Sequence, residues 1–277
     1  MRDWKITSVS FGGQKKVRMN DLDGGNPKNK DLFIDTPYTS YILRNGKETI
    51  LVDTGLSDKM IVDGIGWGGY VTAGGEQAVL DALRSEGLTP ADIDTVILTH
   101  LHLDHAGNIQ LFKDARIIVQ KEEIDECCNP LPHNRILGSF DPETMPKLWA
   151  SRHLYIVDGD VDLGNGLKLC KIPGHTRGSQ CIVVPTAEGR YVVTGDMPHV
   201  SISLFPQLTE MKTLDGGVLT ISSQEDARIP YIMSSFIPNM YTTYASYDRL
   251  KLLAEAFEPK WYLTGHDPWC IIKHTWG

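Results

Sequence analysis

Nowhere does this sequence hold an apolar run near the ~18 residues needed to cross a bilayer. None of signal-peptide length follows Met1. A cytoplasmic protein with no membrane partner is therefore expected. Basic charge is short as well: 27 Lys and Arg against 35 Asp and Glu leave a net charge of −8. That is the wrong sign for gripping a phosphate backbone, so nucleic acid is not expected as a partner. The five cysteines, Cys127, Cys128, Cys170, Cys181 and Cys270, form no C-x-x-C and no disulfide framework, and reduced thiols are expected. No low-complexity tract or ~20–50-residue repeat is present. The Gly-rich stretch 64–75 lacks the Lys-Ser/Thr of a phosphate loop and reads as a loop near a site mouth.

What is present suffices for a core. Hydrophobic residues make up 41%, with 26 glycines in 277 residues, as in globular chains. Single α/β domains of roughly 200–250 residues are common, so residues 1–277 read as one domain. Residues 198–240 mix Pro, Met, Phe and Tyr with weak periodicity. They read as an inserted lid or a partner contact, a homodimer contact among the options. β-Formers cluster at 4–11, 38–43, 50–52, 96–98, 117–119, 154–157, 167–172, 181–184, 191–194 and 261–263. Helices are expected over 76–86, with Gly87 as its stop, over 121–128, ended by a Pro-rich loop containing Pro130 and Pro132, and over 246–257.

Four β-rich runs each end in a metal-ligating type of residue: ILVD at Asp53, VILTH at His100, YVVTGD at Asp196 and WYLTGH at His266. Open α/β sheets place their chemistry at the carboxyl ends of strands, so these ends suggest one convergent site. The strongest signal is His100-Leu101-His102-Leu103-Asp104-His105. Side chains alternate along extended backbone, so His100 and His102 point the same way, and Asp104 and His105 fall where a helix is expected to begin. Imidazoles and carboxylates so concentrated are poor core material and the usual ligands of zinc and related metals. His175 lies on a turn after Pro173-Gly174. Gly195 and Gly265 precede Asp196 and His266, and the small residue permits close backbone approach.

With VDTG at 52–55, HLHLDH at 100–105, PGHT at 173–176, TGD at 194–196 and TGHD at 264–267, the sequence resembles the metallo-β-lactamase superfamily over about 215 residues. The resemblance implies an α/β fold, an αββα sandwich of two mixed sheets flanked by helices. It implies two divalent ions, zinc first, with manganese, iron or cobalt as alternatives. One would be held by His100, His102 and His175, the other by Asp104, His105 and His266, with Asp196 bridging and Asp53 orienting the histidines.

Within the superfamily the sequence looks most like the quorum-quenching lactonases that open N-acyl homoserine lactones. The expected activity is opening of a small lactone, with a small-molecule substrate and attack by a hydroxide bridging the two ions. Asp104 would carry the proton to the leaving group and Asp196 would share in catalysis. His199 stands about where those lactonases carry a tyrosine that contacts the substrate carbonyl, and would serve as donor there. Thioester or phosphodiester hydrolysis is the alternative. Iron-dependent oxidoreduction ranks lower for want of a flavin module, and β-lactam hydrolysis for want of an export signal. His133, His153 and His274 read as surface histidines. Of Tyr231, Tyr241, Tyr244 and Tyr247, at least half are expected in core packing and the rest in a pocket.

Overall fold

The computed structural model describes residues 3–223 and 229–277. Its strands are β1 (Lys5–Arg18), β2 (Phe33–Arg44), β3 (Thr49–Val52), β4 (Thr72–Ala73), β5 (Thr95–Ile97), β6 (Arg116–Gln120), β7 (His153–Val157), β8 (Val161–Asp162), β9 (Lys168–Lys171), β10 (Gln180–Pro185), β11 (Arg190–Gly195), β12 (Glu210–Lys212), β13 (Val218–Thr220), β14 (Tyr262–Thr264) and β15 (Thr275–Trp276). Helices are α1 (Met19–Leu22), α2 (Glu76–Ser85), α3 (Lys121–Cys128), α4 (Pro132–Leu137), α5 (Thr144–Ala150), α6 (Met240–Leu253) and α7 (Pro268–Lys273).

Successive side chains on a strand face opposite ways, and here both faces are apolar. Ile50, Val52, Ile97 and Ile118 pack inward with Leu169, Ile182, Val184, Val192 and Leu263. Their neighbours Leu51, Val96, Leu98, Ile117 and Val119 pack outward against Val79 and Leu83 of α2 and Leu148 of α5. The larger sheet runs β15-β1-β2-β3-β5-β6-β7, with β4 on β1, and the smaller β14-β11-β10-β9-β8. Both are mixed: β3, β5, β6 and β7 are parallel while β1, β2 and β3 are antiparallel, and β14 is parallel to β11 while β10 is antiparallel to it. This is the expected sandwich, with α2, α3 and α5 over the larger sheet and α6 beside β11.

Three local expectations need correction. No α-helix follows Asp104. His105 and Ala106 N–H donate to His102 O, and then the chain's polar groups turn to the loop after β3: Thr54 N–H to His105 O (2.6 Å) and Gly107 N–H to Gly55 O (2.8 Å). Those groups cannot also form a helical ladder. The late helix starts at Met240, six residues before its expected start at Ser246, because Asn239 Oδ1 caps Thr242 N–H at 3.2 Å. It ends at Leu253, since Ala254 is extended and Glu255 N–H donates to Arg190 O. Finally, the loop after α3 is short, and Pro132 opens α4.

Of the 198–240 segment, residues 224–228 lie outside the described part. The rest is anchored: Val200, Ile202, Met211, Ile221 and Ile232 share a satellite core with Val17, Met19, Leu22 and Ile34. No described helix is long and apolar enough to cross a membrane.

Candidate metal centre

The strand ends meet as the sequence suggests. In four groups, His100/His102/His175, His100/His105/Asp196, Asp104/His105/His266 and His175/Asp196/His199, the ligand-type atoms lie within 4.8 Å of one another. All of these residues are buried except Asp104, which is partly exposed.

Four of the imidazoles are aimed by what their Nδ1 meets. Asp53 accepts from Thr99 N–H and Thr99 Oγ1–H, both at 2.7 Å, and from His105 Nδ1 at 2.8 Å. With its proton given to Asp53, the Thr99 hydroxyl accepts from His100 Nδ1 at 3.1 Å. His175 Nδ1 donates to Phe236 O at 3.1 Å and His266 Nδ1 to Pro37 O at 2.9 Å. Four rings therefore turn an Nε2 lone pair inward. Asp53 itself sits at φ +65°, a left-handed conformation that a non-glycine residue adopts only under constraint. Its three accepted hydrogen bonds supply that constraint.

The inward atoms fit a cation and little else. Nε2 of His100, His102, His105 and His175 and Oδ1 of Asp196 are buried without a hydrogen-bond partner. Leaving such atoms unpaired costs on the order of 1–3 kcal/mol each. His105 Nε2 faces Asp196 Oδ1 at 3.2 Å and His266 Nε2 faces Asp196 Oδ2 at 3.1 Å. When each Nδ1 is the donor, these are acceptor–acceptor contacts that a positive charge must mediate. The titration of the rings expresses the same demand. Burial works to lower His105 and His266, yet the negative charge of Asp196 and Asp104, joined by Asp53 at His105, raises both. Burial, then neighbouring histidines, hold His100 far below its ordinary value, and burial likewise lowers His102, His175 and His199. Burial would raise Asp196, but His266, His105 and His199 together hold it well below the usual carboxylate range.

Close approach fixes the glycines. A Cβ on Gly265 would lie 2.4 Å from Asp196 Oδ1, and one on Gly195 (φ +56°) 2.6 Å from Thr99 Oγ1. These are the positions the sequence marked as small.

A cavity of about 660 Å³, open mouth included, leads to the cluster and is lined by Asp104, Asp196, His175, His199 and His266. Val17, Leu22, Trp67, Leu137 and Phe236 form its apolar wall. Trp67, from the Gly-rich stretch, meets Phe236 edge-on at 5.5 Å and donates from Nε1 to Leu137 O at 2.7 Å, so that stretch does reach the mouth. His199 lies 3.2 Å from Asp196 Oδ2 through Nε2 and stacks on His266 at 5.3 Å. Core packing accounts for at least half of the four tyrosines, as expected. Tyr231 and Tyr247 are buried in the core with Tyr244 packed against it, Tyr241 is 91% exposed, and none is among the described residues lining this cavity. His153 and His274 are exposed, and the side chain of His133 lies outside the described residues.

Two residues escaped the sequence reading. Glu123 of α3 is fully buried and accepts from Leu101 N–H (2.9 Å), Thr176 Oγ1–H (2.6 Å) and Gly178 N–H (3.1 Å). One carboxylate thus ties the His100–His102 segment to the His175 turn. Burial pushes it up to about 7 against the pull of those donors. In sequence it is one acid of a charged helix, indistinguishable from exposed neighbours. Tyr38 of β2 is buried beside His266, its ring edge-on at 5.9 Å. Burial, then the charge of Asp104, raises its phenol well above the ordinary value. An alternating strand offers no mark that would single it out.

A family model described as the metallo-beta-lactamase superfamily matches residues 34–266. The chain belongs to the metallo-beta-lactamase superfamily. Within it, the chain is similar to the N-acyl homoserine lactonase of Bacillus sp., 28% identical over 175 residues. That match covers 60% of this chain and 66% of the relative, so it spans about two thirds of the relative's length. It is also similar to the N-acyl homoserine lactonase AttM of Agrobacterium fabrum, 25% identical over 99% of this chain and 97% of AttM. Among solved structures, an N-acyl homoserine lactone hydrolase with N-hexanoyl-L-homoserine at its catalytic metal centre superposes with a TM-score of 0.70. It is 20% identical, over 96% of this chain and 94% of that one. AidC, a dizinc quorum-quenching lactonase, gives 0.68 at 21% identity, over 96% and 88% of the two chains. These structures share the metallo-β-lactamase fold, and the relatives named are hydrolases.

Proposed function

We propose that this protein is a metal-dependent hydrolase that opens a small, neutral lactone of the N-acyl homoserine lactone kind. His100, His102 and His175 would hold one divalent ion, Asp104, His105 and His266 a second, and Asp196 would bridge them, zinc being the first choice of metal. Such ions, when bound, make water nucleophilic near neutral pH and polarise a carbonyl.

The protein's own groups carry the rest. Asp53, Thr99 and the carbonyls of Pro37 and Phe236 keep the rings in the ligating tautomer. Asp104 is the cluster's most solvent-reachable carboxylate, its side chain 17% exposed. It takes the proton of the attacking water and delivers it to the alkoxide as the ring C–O bond breaks. His199 lines the same cavity and stands by as a donor. The apolar wall of Val17, Leu22, Trp67, Leu137 and Phe236 suits an acyl chain and excludes bulk water. Part of that wall, Phe236, and His199 come from the 198–240 segment, which we read as a fixed side of the pocket within one domain.

The observation that carries the substrate class is the lining itself: no Lys or Arg is among the described residues around the cavity. A phosphodiester or other anionic substrate would find no cationic side chain there. The test is a panel of lactones, thioesters and phosphodiesters with metal content measured by mass spectrometry. Chelator-sensitive ring opening restored by added zinc, manganese or cobalt is expected. Turnover of phosphodiesters with no lactone opened would overturn the reading.

A further inference from the structure

The Tyr38 hydroxyl is buried with no hydrogen-bond partner, on a side chain 3% exposed, and it lines the cavity that Asp104, Asp196 and His199 also line. Its ring packs with Leu56 and Leu103, a task that a phenylalanine ring performs equally well. An unpaired buried hydroxyl destabilises a fold relative to the same ring without it. The arrangement makes sense when the missing partner arrives with the substrate. Tyr38 meets the edge of His266 while His199 stacks on its face, so both flank one imidazole. His199 already has its Nε2 3.2 Å from Asp196 Oδ2. The phenol, with the Gln14 and Thr72 side chains as its polar neighbours, is a donor that no metal-ligating residue engages.

We infer that Tyr38 donates its hydroxyl hydrogen bond to the substrate carbonyl oxygen as that oxygen becomes an oxyanion. The donor enters from β2 of the larger sheet, not from the loop after β11. The inference deepens the hydrolase reading and rests on it. Water oxygen bonds to the carbonyl carbon and the C=O π pair moves onto oxygen, where the Tyr38 O–H hydrogen-bonds it without losing its proton. The π bond then re-forms as the ring C–O bond breaks, and the alkoxide receives, through Asp104, the proton that left the water. Atoms and charge balance, and the product is the hydroxy acid.

Tyr38→Phe tests this. Expected is a fall in kcat of about 10²-fold, the scale of losing one oxyanion donor, with KM changed by less than about threefold. Metal content should match the wild type, and the thermal midpoint should stay or rise. A second readout needs no turnover. 4-Phenylbutylboronic acid, which forms a tetrahedral anion, should bind the metal-loaded variant at least about tenfold more weakly, while planar hexanamide binds both proteins alike. Unchanged kcat and boronate affinity would overturn the role. So would a fall in kcat accompanied by equal losses of metal and of thermal stability. If the wild type opens no lactone but cleaves a thioester, the lactone reading fails. A matching loss on that thioester in Tyr38→Phe would still uphold the donor. A wild type that neither cleaves an acyl substrate nor binds the boronate would overturn both.

Discussion

The two halves of the candidate centre are built from different chemistry. On one side His100, His102 and His175 are buried imidazoles held neutral, their pKa values lowered by burial and by neighbouring histidines, His105 among them. Their supports are a hydroxyl (Thr99), a backbone carbonyl (Phe236) and the Glu123 clasp on the segments that carry them. On the other side His105 and His266 are pulled upward by Asp196 and Asp104. That half is a pocket of negative charge demanding a cation; the first is a preformed cage of lone pairs. The difference teaches that, on the proposed assignment, one site would bind two like ions for unlike reasons, one through fixed geometry and one through charge. On the proposed assignment, a chelator titration should therefore withdraw the ion of the three-histidine half first. Simultaneous loss would break the comparison.

Asp196 belongs to both halves, so Asp196→Ala should have the largest effect. Its oxygens lie 3.1–3.2 Å from His105, His199 and His266. Mass spectrometry should find both ions lost and turnover reduced at least about 10³-fold.

Glu123→Gln should strike the three-histidine half alone. Glu123 has its pKa raised by burial from 4.5 to about 7. The folded chain therefore holds that proton more tightly than the unfolded chain, and stability falls as pH rises from 4.5 to 7. By linkage the shift amounts to about 3 kcal/mol. Urea unfolding of the apoprotein between pH 4.5 and 8 should show this slope in the wild type and a flatter one in the variant. Equal slopes would mean that the carboxyl does not titrate there.

Asp53→Asn touches mainly the charged half, where it weakens the acceptor for His105 Nδ1. Loss of such a supporting partner typically reduces metal affinity or activity by about 10–100-fold. Competition with a chromogenic chelator should place that loss on the more tightly held ion. Thr99→Val should have the smallest effect. It removes one hydroxyl between Asp53 and His100, a hydrogen bond of about 1 kcal/mol, so roughly a fivefold loss of affinity is expected, spread over both halves.

How much of this was legible beforehand follows from distance along the chain. The cluster His100–His105 announces itself because four residues of metal-ligating type fall within six positions, and Asp53, Asp196 and His266 because each closes a β-rich run. Glu123 and Tyr38 were not legible, since a glutamate on a charged helix and a tyrosine on a strand are ordinary residues until burial selects them. The helix expected after Asp104 fails for a related reason: its backbone groups are taken by Thr54 and Gly55, about 50 residues away.

The sequence by itself determined which residue types line the centre, the order in which strands deliver them and the apolar alternation that makes a two-sheet sandwich. Those are local properties, set by side-chain chemistry and a period of two. Only the tertiary structure decided the tautomer of the four imidazoles with Nδ1 partners, the clasp of Glu123 and the unpaired hydroxyl of Tyr38. Each depends on a buried polar atom finding, or failing to find, a partner from a distant segment, and no local pattern encodes that.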